Sequence, residues 1–115
     1  YLENNRLDMA MIHLSAAAQM NPYDATTYNN LGIIYTRQKN DSLAEACFRR
    51  AILLNPKSAQ PYFNLAALKM KQRRFDEALA HINTVVRLAP DHQEARAIQN
   101  KLAGAVHHHQ EKTDD

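Results

Sequence analysis

Tyr28-Asn29-Asn30-Leu31-Gly32-Ile33-Ile34-Tyr35 decides the reading of this chain, because Tyr62-Phe63-Asn64-Leu65-Ala66-Ala67-Leu68-Lys69 answers it 34 residues later. Tyr28 returns as Tyr62, and the pair Leu31-Gly32 as Leu65-Ala66. The same beat extends outward through Ala10, Ala44 and Ala78, and through Pro22, Pro56 and Pro90. A fixed period of this length marks a stacked repeat array rather than one globular core. Each unit is then a pair of antiparallel helices that cannot bury its apolar face without a neighbour. Function in such an array is expected on an extended surface, not in a catalytic cleft.

Within a unit the spacing has a direct physical meaning. Tyr28, Leu31 and Tyr35 fall three and four apart, on one face of a helix, and Leu43, Ala44, Cys47, Phe48 and Ala51 repeat that spacing in a second helix. Gly32 costs about 1 kcal/mol of helix propensity against Ala, so a close approach must offset it. The expected partners are Ala44 and Ala51 on the second helix. Pro56 follows Asn55 just past a helix end, since a proline cannot continue the helix and pushes its predecessor out of helical geometry. Helices are predicted over residues 7–20, 25–39, 41–54, 59–73, 75–88 and 92–105. Asp91-His92-Gln93-Glu94 reads as a capping box opening the last of them.

Numbering each repeat from 1 to 34 places Tyr28, Leu31, Gly32, Tyr35, Ala44, Phe48, Ala51 and Pro56 at positions 4, 7, 8, 11, 20, 24, 27 and 32. Tyr62, Leu65, Ala66, Lys69, Ala78, Ile82, Val85 and Pro90 follow in register, with Lys69 replacing the aromatic at position 11 and Val85 the small residue at 27. Tyr1, Leu7, Ala10, Leu14, Ala17 and Pro22 are in phase before them. Over residues 1–92 the chain therefore resembles the tetratricopeptide repeat family. The resemblance implies an all-α, right-handed solenoid of helix-turn-helix repeats closed by a C-terminal capping helix. Its parts are a partial repeat over 1–24, full repeats over 25–58 and 59–92, a capping helix over 93–106 and a disordered polar tail over 107–115. Tyr1 falls partway along a repeat helix, so the chain reads as a segment of a larger protein.

Composition agrees with helices and says little about partners. Only two glycines and four prolines occur in 115 residues. The net charge of +2, with cations scattered among acids, does not announce nucleic acid or a membrane surface. A single cysteine excludes an internal disulfide and leaves the compartment open between cytoplasm and periplasm for a segment expected to be soluble. Lys69, Lys71, Arg73 and Arg74 form one basic cluster, read as a solvated helix end favoured by the helix dipole.

Catalytic chemistry finds no footing. No Gly-rich phosphate loop, HExxH or paired nucleophile and base is present, so the chain is expected not to be an enzyme and to need no cofactor. His13, Cys47 and His81 share position 23. Helices pack about 8–10 Å apart, too far for such a row to converge on one zinc ion at about 2.3 Å. The triplet His107-His108-His109 reads as part of a solvated tail.

In the family, the first helix of each pair lines a concave groove. The resemblance places Asn29, Asn30, Ile33 and Arg37, then Gln60, Phe63, Asn64, Ala67, Met70 and Lys71, in that groove, joined by Ile98 and Lys101 from the last helix. Asn30 and Asn64 both hold position 6, and an amide offers donors and an acceptor to a peptide backbone. The pair resembles the asparagine ladder of the sugar-transferase superhelix. The carboxylate clamp of cochaperones fits poorly, because Gln60 and Asn64 stand where it needs cations for charge-assisted bonds. The expectation is a non-enzymatic protein-interaction module holding a peptide or partner helix. The alternatives are a self-assembly segment, with homo-oligomers formed through Leu7, Met11 and Leu14 at the N-terminal end, or the substrate-presenting arm of a larger enzyme.

Overall fold

Six α-helices carry the chain: α1 (Leu2–Met20), α2 (Ala25–Arg37), α3 (Asp41–Leu54), α4 (Ala59–Lys71), α5 (Phe75–Leu88) and α6 (Gln93–Thr113). The computed structural model describes the backbone of residues 2–113 and the side chains of residues 6–106. No strand occurs among the described residues, and none of their helices is long and apolar enough to cross a membrane. The chain divides into an N-terminal unit up to Lys57 and a C-terminal unit from Ser58. In the first, α2 packs on α1 and on α3. In the second, α5 packs on α4 and on α6.

The two complete helix pairs, α2–α3 and α4–α5, close by one device. The N–H of Lys39 bonds the carbonyl of Thr36 at 3.0 Å and that of Asn40 bonds Tyr35 at 2.9 Å. Arg73 to Met70 at 3.0 Å and Arg74 to Lys69 at 2.8 Å repeat the pattern. These are the paired back-bonds of a Schellman turn, which needs its middle residue in the left-handed region. Lys39 and Arg73 supply it, each with φ of 62°. Asn40 then caps α3, its side-chain oxygen accepting the Leu43 N–H at 3.4 Å. The turn consumes Gln38-Lys39 and Gln72-Arg73, so α2 and α4 end two residues earlier than the sequence predicts.

Both outer helices are longer than expected. The third residue at this register, Asn5, lies inside α1, which starts at Leu2 rather than at residue 7. Residues 2–6 hold no glycine or proline to stop the helix. The backbone of α6 is helical through Thr113, so the tail expected over 107–115 gives way to helix up to that residue; Asp114 and Asp115 lie outside the described residues. The exposed Gly104 alone does not end α6.

The packing turns on alanine and one glycine. Ala44 and Ala51 of α3 are sealed at 0% exposure, as is Ala78 of α5. The nearest neighbour of Gly32 is the Phe48 ring. A β-carbon built there would collide with Cε1 of the Phe48 ring and stand 2.6 Å from Cδ1. At the same register of the next repeat Ala66 lies in one buried cluster with Ile82, Val85, Ala95 and Leu102. The larger residue at position 8 thus accompanies the smaller one at position 24.

One charge is buried where the sequence suggests solvent. Lys69 is 2% exposed, and its ammonium lies 3.4 Å from the Glu77 carboxylate, which Arg74 also approaches at 3.4 Å. The lysine that stands at the register of the half-buried Tyr35 is carried into the α4–α5 seam and needs a counter-ion there. The rest of the basic cluster (Lys71, Arg73 and Arg74) is exposed.

Candidate functional site

In the N-terminal unit the candidate surface is built on α2. Asp24 starts this helix, accepting the Thr26 N–H at 3.0 Å and the Thr27 hydroxyl at 3.2 Å. The helix that follows has thirteen residues. Leu31, Gly32 and Ile34 are buried, while Asn30 and Arg37 are exposed and Ile33 is half-buried. Spaced three and four apart, Asn30, Ile33 and Arg37 share one side of the helix. Asn29 departs from expectation: at 8% exposure it is buried and engaged within the fold rather than offered to a ligand.

The α2 side chains do not form a flat stripe. They make one wall of an open cavity of about 900 Å³ between α1 and α2. That wall is Asn30, Ile33, Ile34 and Arg37, and the opposite wall comes from α1 as Arg6, Leu7, Ala10, His13 and Leu14. The floor is aliphatic. Arg6, His13 and Arg37 stand around it, and among the described residues no carboxylate lines it. The α1 residues were absent from the predicted site, although their register was the available signal, since Ala10 and Leu14 answer Ala44 and Phe48 one period on.

The C-terminal unit presents a more closed face. Ala67, Lys71 and Lys101 are exposed, as is Gln60, whose Nε2 donates to Oδ1 of the half-buried Asn64 at 3.5 Å. Phe63, Met70 and Ile98 pack against the buried cluster of Ala66, Ile82 and Leu102, so much of their surface is committed to the core. Phe63 also stacks on His92, with ring centroids 5.2 Å apart and planes at 24°. His92 in turn caps α6, its Nδ1 accepting the Ala95 N–H at 3.1 Å. The cap predicted at Asp91 is thus made one residue later, by an imidazole that Phe63 holds in place. Asn30 and Asn64, alike in register, differ in setting: one is exposed, while the other accepts a bond from Gln60.

The outward sides of the second helices carry weaker contacts. Arg50 lies over the Tyr28 ring at 5.6 Å and His81 meets Tyr62 at 6.5 Å. His13 and Cys47 belong to the N-terminal unit and His81 to the C-terminal one. Among the described residues no three His, Cys, Asp or Glu side chains are grouped to hold a metal, and the side chains of His107, His108 and His109 lie outside those residues. Burial pushes the Cys47 thiol up from its ordinary value, which favours the protonated form.

A chain of helix pairs with small residues at the crossings and open first-helix faces is an all-α repeat protein. The family model for the tetratricopeptide repeat matches residues 31–103, and the chain belongs to that family. It is 29% identical over 102 residues to anaphase-promoting complex subunit 3 of Schizosaccharomyces pombe, covering 89% of this chain and 15% of that protein. It is 30% identical over 96 residues to serine/threonine-protein phosphatase 5 of Rattus norvegicus, covering 84% of this chain and 19% of that one. The chain thus spans less than a fifth of either relative. The first tetratricopeptide domain of Spaghetti (RPAP3), solved bound to the HSP90 peptide SRMEEVD, superposes with a TM-score of 0.81 at 24% identity, over 92% of this chain and 84% of that one. The Arabidopsis OM64 domain gives 0.78 at 21% identity, over 88% and 84%. At these identities the two structures speak for the fold.

Proposed function

We propose that this chain is a non-catalytic interaction module that holds a peptide or partner helix against its first-helix faces. The observation that supports this most directly is the face of α2. It has an exposed amide at Asn30, a half-buried aliphatic at Ile33 and an exposed cation at Arg37, all opening onto the cavity beside α1. Arg37, Lys71 and Lys101 bias the ligand toward acidic character, and added salt weakens that bias. Spaghetti, with its bound SRMEEVD peptide, shows what this fold accepts in one relative. In this chain Gln60 and Asn64 replace the cations that a terminal carboxylate prefers. SRMEEVD should therefore bind weakly, and internal peptide segments better. The rat relative is by name a phosphatase; an enzyme presenting substrate on this module is a further proposal about any longer protein.

The test uses a peptide or protein captured by the intact chain. Asn30→Ala with Asn64→Ala should weaken its binding severalfold while helical content stays unchanged, each amide contributing about 0.5–1.5 kcal/mol net. Phe63→Ala reports the apolar contribution and His81→Ala the opposite side. Loss of binding in His81→Ala, with the asparagine pair indifferent, would move the site to the second helices.

Self-assembly is a second reading, supported by exposed apolar side chains in the N-terminal unit: Met9 at 60%, Ile12 at 67%, Met20 at 88% and Tyr23 at 76%. Leu7 is buried, with Met11 and Leu14 half-buried, so the residues first expected to drive association are not the ones that face solvent.

A further inference from the structure

We infer that His92 is a proton-sensitive latch: its neutral imidazole closes the first turn of α6, and its charged form opens that turn. The inference stands apart from the peptide reading above, because it concerns the chain alone and needs no ligand.

The repeat register brings three residues to one task. Asp24, Ser58 and His92 stand 34 residues apart, directly ahead of α2, α4 and α6. Asp24 caps its helix with a carboxylate that accepts the Thr26 N–H at 3.0 Å. Ser58 holds the same place without a side-chain bond. His92 caps α6 through Nδ1, which accepts the Ala95 N–H at 3.1 Å, while its carbonyl accepts the Arg96 N–H at 3.1 Å. Aspartate and serine are ordinary helix starters, and near neutral pH their oxygens remain acceptors. An imidazole accepts only while neutral, since its protonated form has two donors and no acceptor. Of the three caps, His92 alone is lost by gaining a proton, and histidine changes charge within about pH 5–8.

The surroundings set the direction of the effect. With Nδ1 accepting, the proton of the neutral ring sits on Nε2. Phe63 stacks on the imidazole at 5.2 Å and 24°, and is itself packed against the buried cluster. A phenyl face also receives a cation, so protonation spares the stack and breaks the cap. The new charge then faces the N-terminal end of α6, whose dipole repels it. Asp91 and Glu94 attract it, but both are exposed and act through water. Arg96 is held by the Pro90 carbonyl at 3.1 Å. α4 carries no formal charge before Lys69, and its Tyr62 meets His81 instead. In the last two turns of α5 the one charge is the exposed Arg87. The lost hydrogen bond and the dipole therefore prevail. The stability that the latch contributes is present when the imidazole is neutral and is lost as pH falls.

The test compares the unsubstituted full chain with His92→Asn and His92→Ala by urea unfolding at about pH 7.5 and about pH 5.5. Asparagine caps a helix at both values and alanine at neither, so the two variants should share one dependence on pH, set by the remaining groups. Between the same two values the folding constant of the unsubstituted chain should fall about fivefold further, the size of a typical N-cap. Proton–nitrogen NMR of the unsubstituted chain should show the neutral His92 ring protonated at Nε2 and bare at Nδ1. The Ala95 amide signal should move in step with the charging of His92. Four results overturn the inference: a dependence on pH equal to that of the variants, a gain in stability over them as pH falls, a neutral ring protonated at Nδ1, or an Ala95 amide that ignores the charge on His92.

Discussion

Gly32 and Phe48 show at the residue scale how a repeat family tolerates change without losing its crossing. The ring of Phe48, 1% exposed, lies where a β-carbon on Gly32 would have to stand. One period on, the pair is Ala66 and Ile82, a methyl added on one helix and an aromatic ring reduced to a branched chain on the other. Gly32→Ala gains about 1 kcal/mol of helix propensity, but the crowded ring loses about 1–3 kcal/mol to overpacking. Since Phe48 is sealed and cannot swing away, overpacking wins and the variant should melt at lower temperature. Phe48→Ile alone should also destabilise, by leaving a void. The double variant, which copies the next repeat, should recover at least about 1 kcal/mol relative to the sum of the single changes. Additive losses in chemical denaturation would show that the two residues do not share one space.

At the scale of the element, each complete helix pair is closed by a left-handed residue that is not glycine. Lys39 and Arg73 hold φ of 62° with a β-carbon in place, a conformation costing an L-residue roughly 1–2 kcal/mol. Their back-bonds to Thr36 and Met70 keep them there. Because both side chains are exposed, glycine removes that strain without opening a hole. Lys39→Gly and Arg73→Gly should therefore each stabilise the chain by about 0.5–1 kcal/mol, offset in part by the greater freedom of glycine in the unfolded chain. Unfolding midpoints that fall instead would mean that the side chains do more than occupy the turn. The same element shows the limit of pattern reading. Asn40 and Arg74 each end a turn and begin a helix, and a residue doing both leaves no distinct mark in sequence.

Across the whole molecule, exposed apolar surface is distributed unevenly. Among the described residues Met9, Ile12, Met20, Tyr23, Leu43 and Leu53 lie in the N-terminal unit, against Phe75, at 36%, in the other. Exposed patches of this kind seek a cover. The intact chain should therefore self-associate weakly at high protein concentration, and Met9→Glu with Ile12→Lys should suppress the association while preserving helical content. Sedimentation that shows only monomer at every concentration removes the assembly reading.

What the sequence determined by itself was periodic. The 34-residue beat carried the helix pairs, the residues at their crossings and the helix ends before Pro22, Pro56 and Pro90, and α3 and α5 have the ends it predicts. Such features are legible because each follows from neighbours along the chain: a stripe three and four residues apart, or a proline that cannot donate. The tertiary structure alone decided which side chains were left over. Asn29 is buried and Asn30 exposed although they are adjacent. Lys69 disappears into a seam while Lys71, two residues on, stays in solvent. Gly32 lies against the Phe48 ring, and α1 supplies a second wall to the cavity beside α2. Burial depends on which helices press together and at what rotation. That is settled by the joint packing of residues far apart in the chain, which a period one repeat long does not encode.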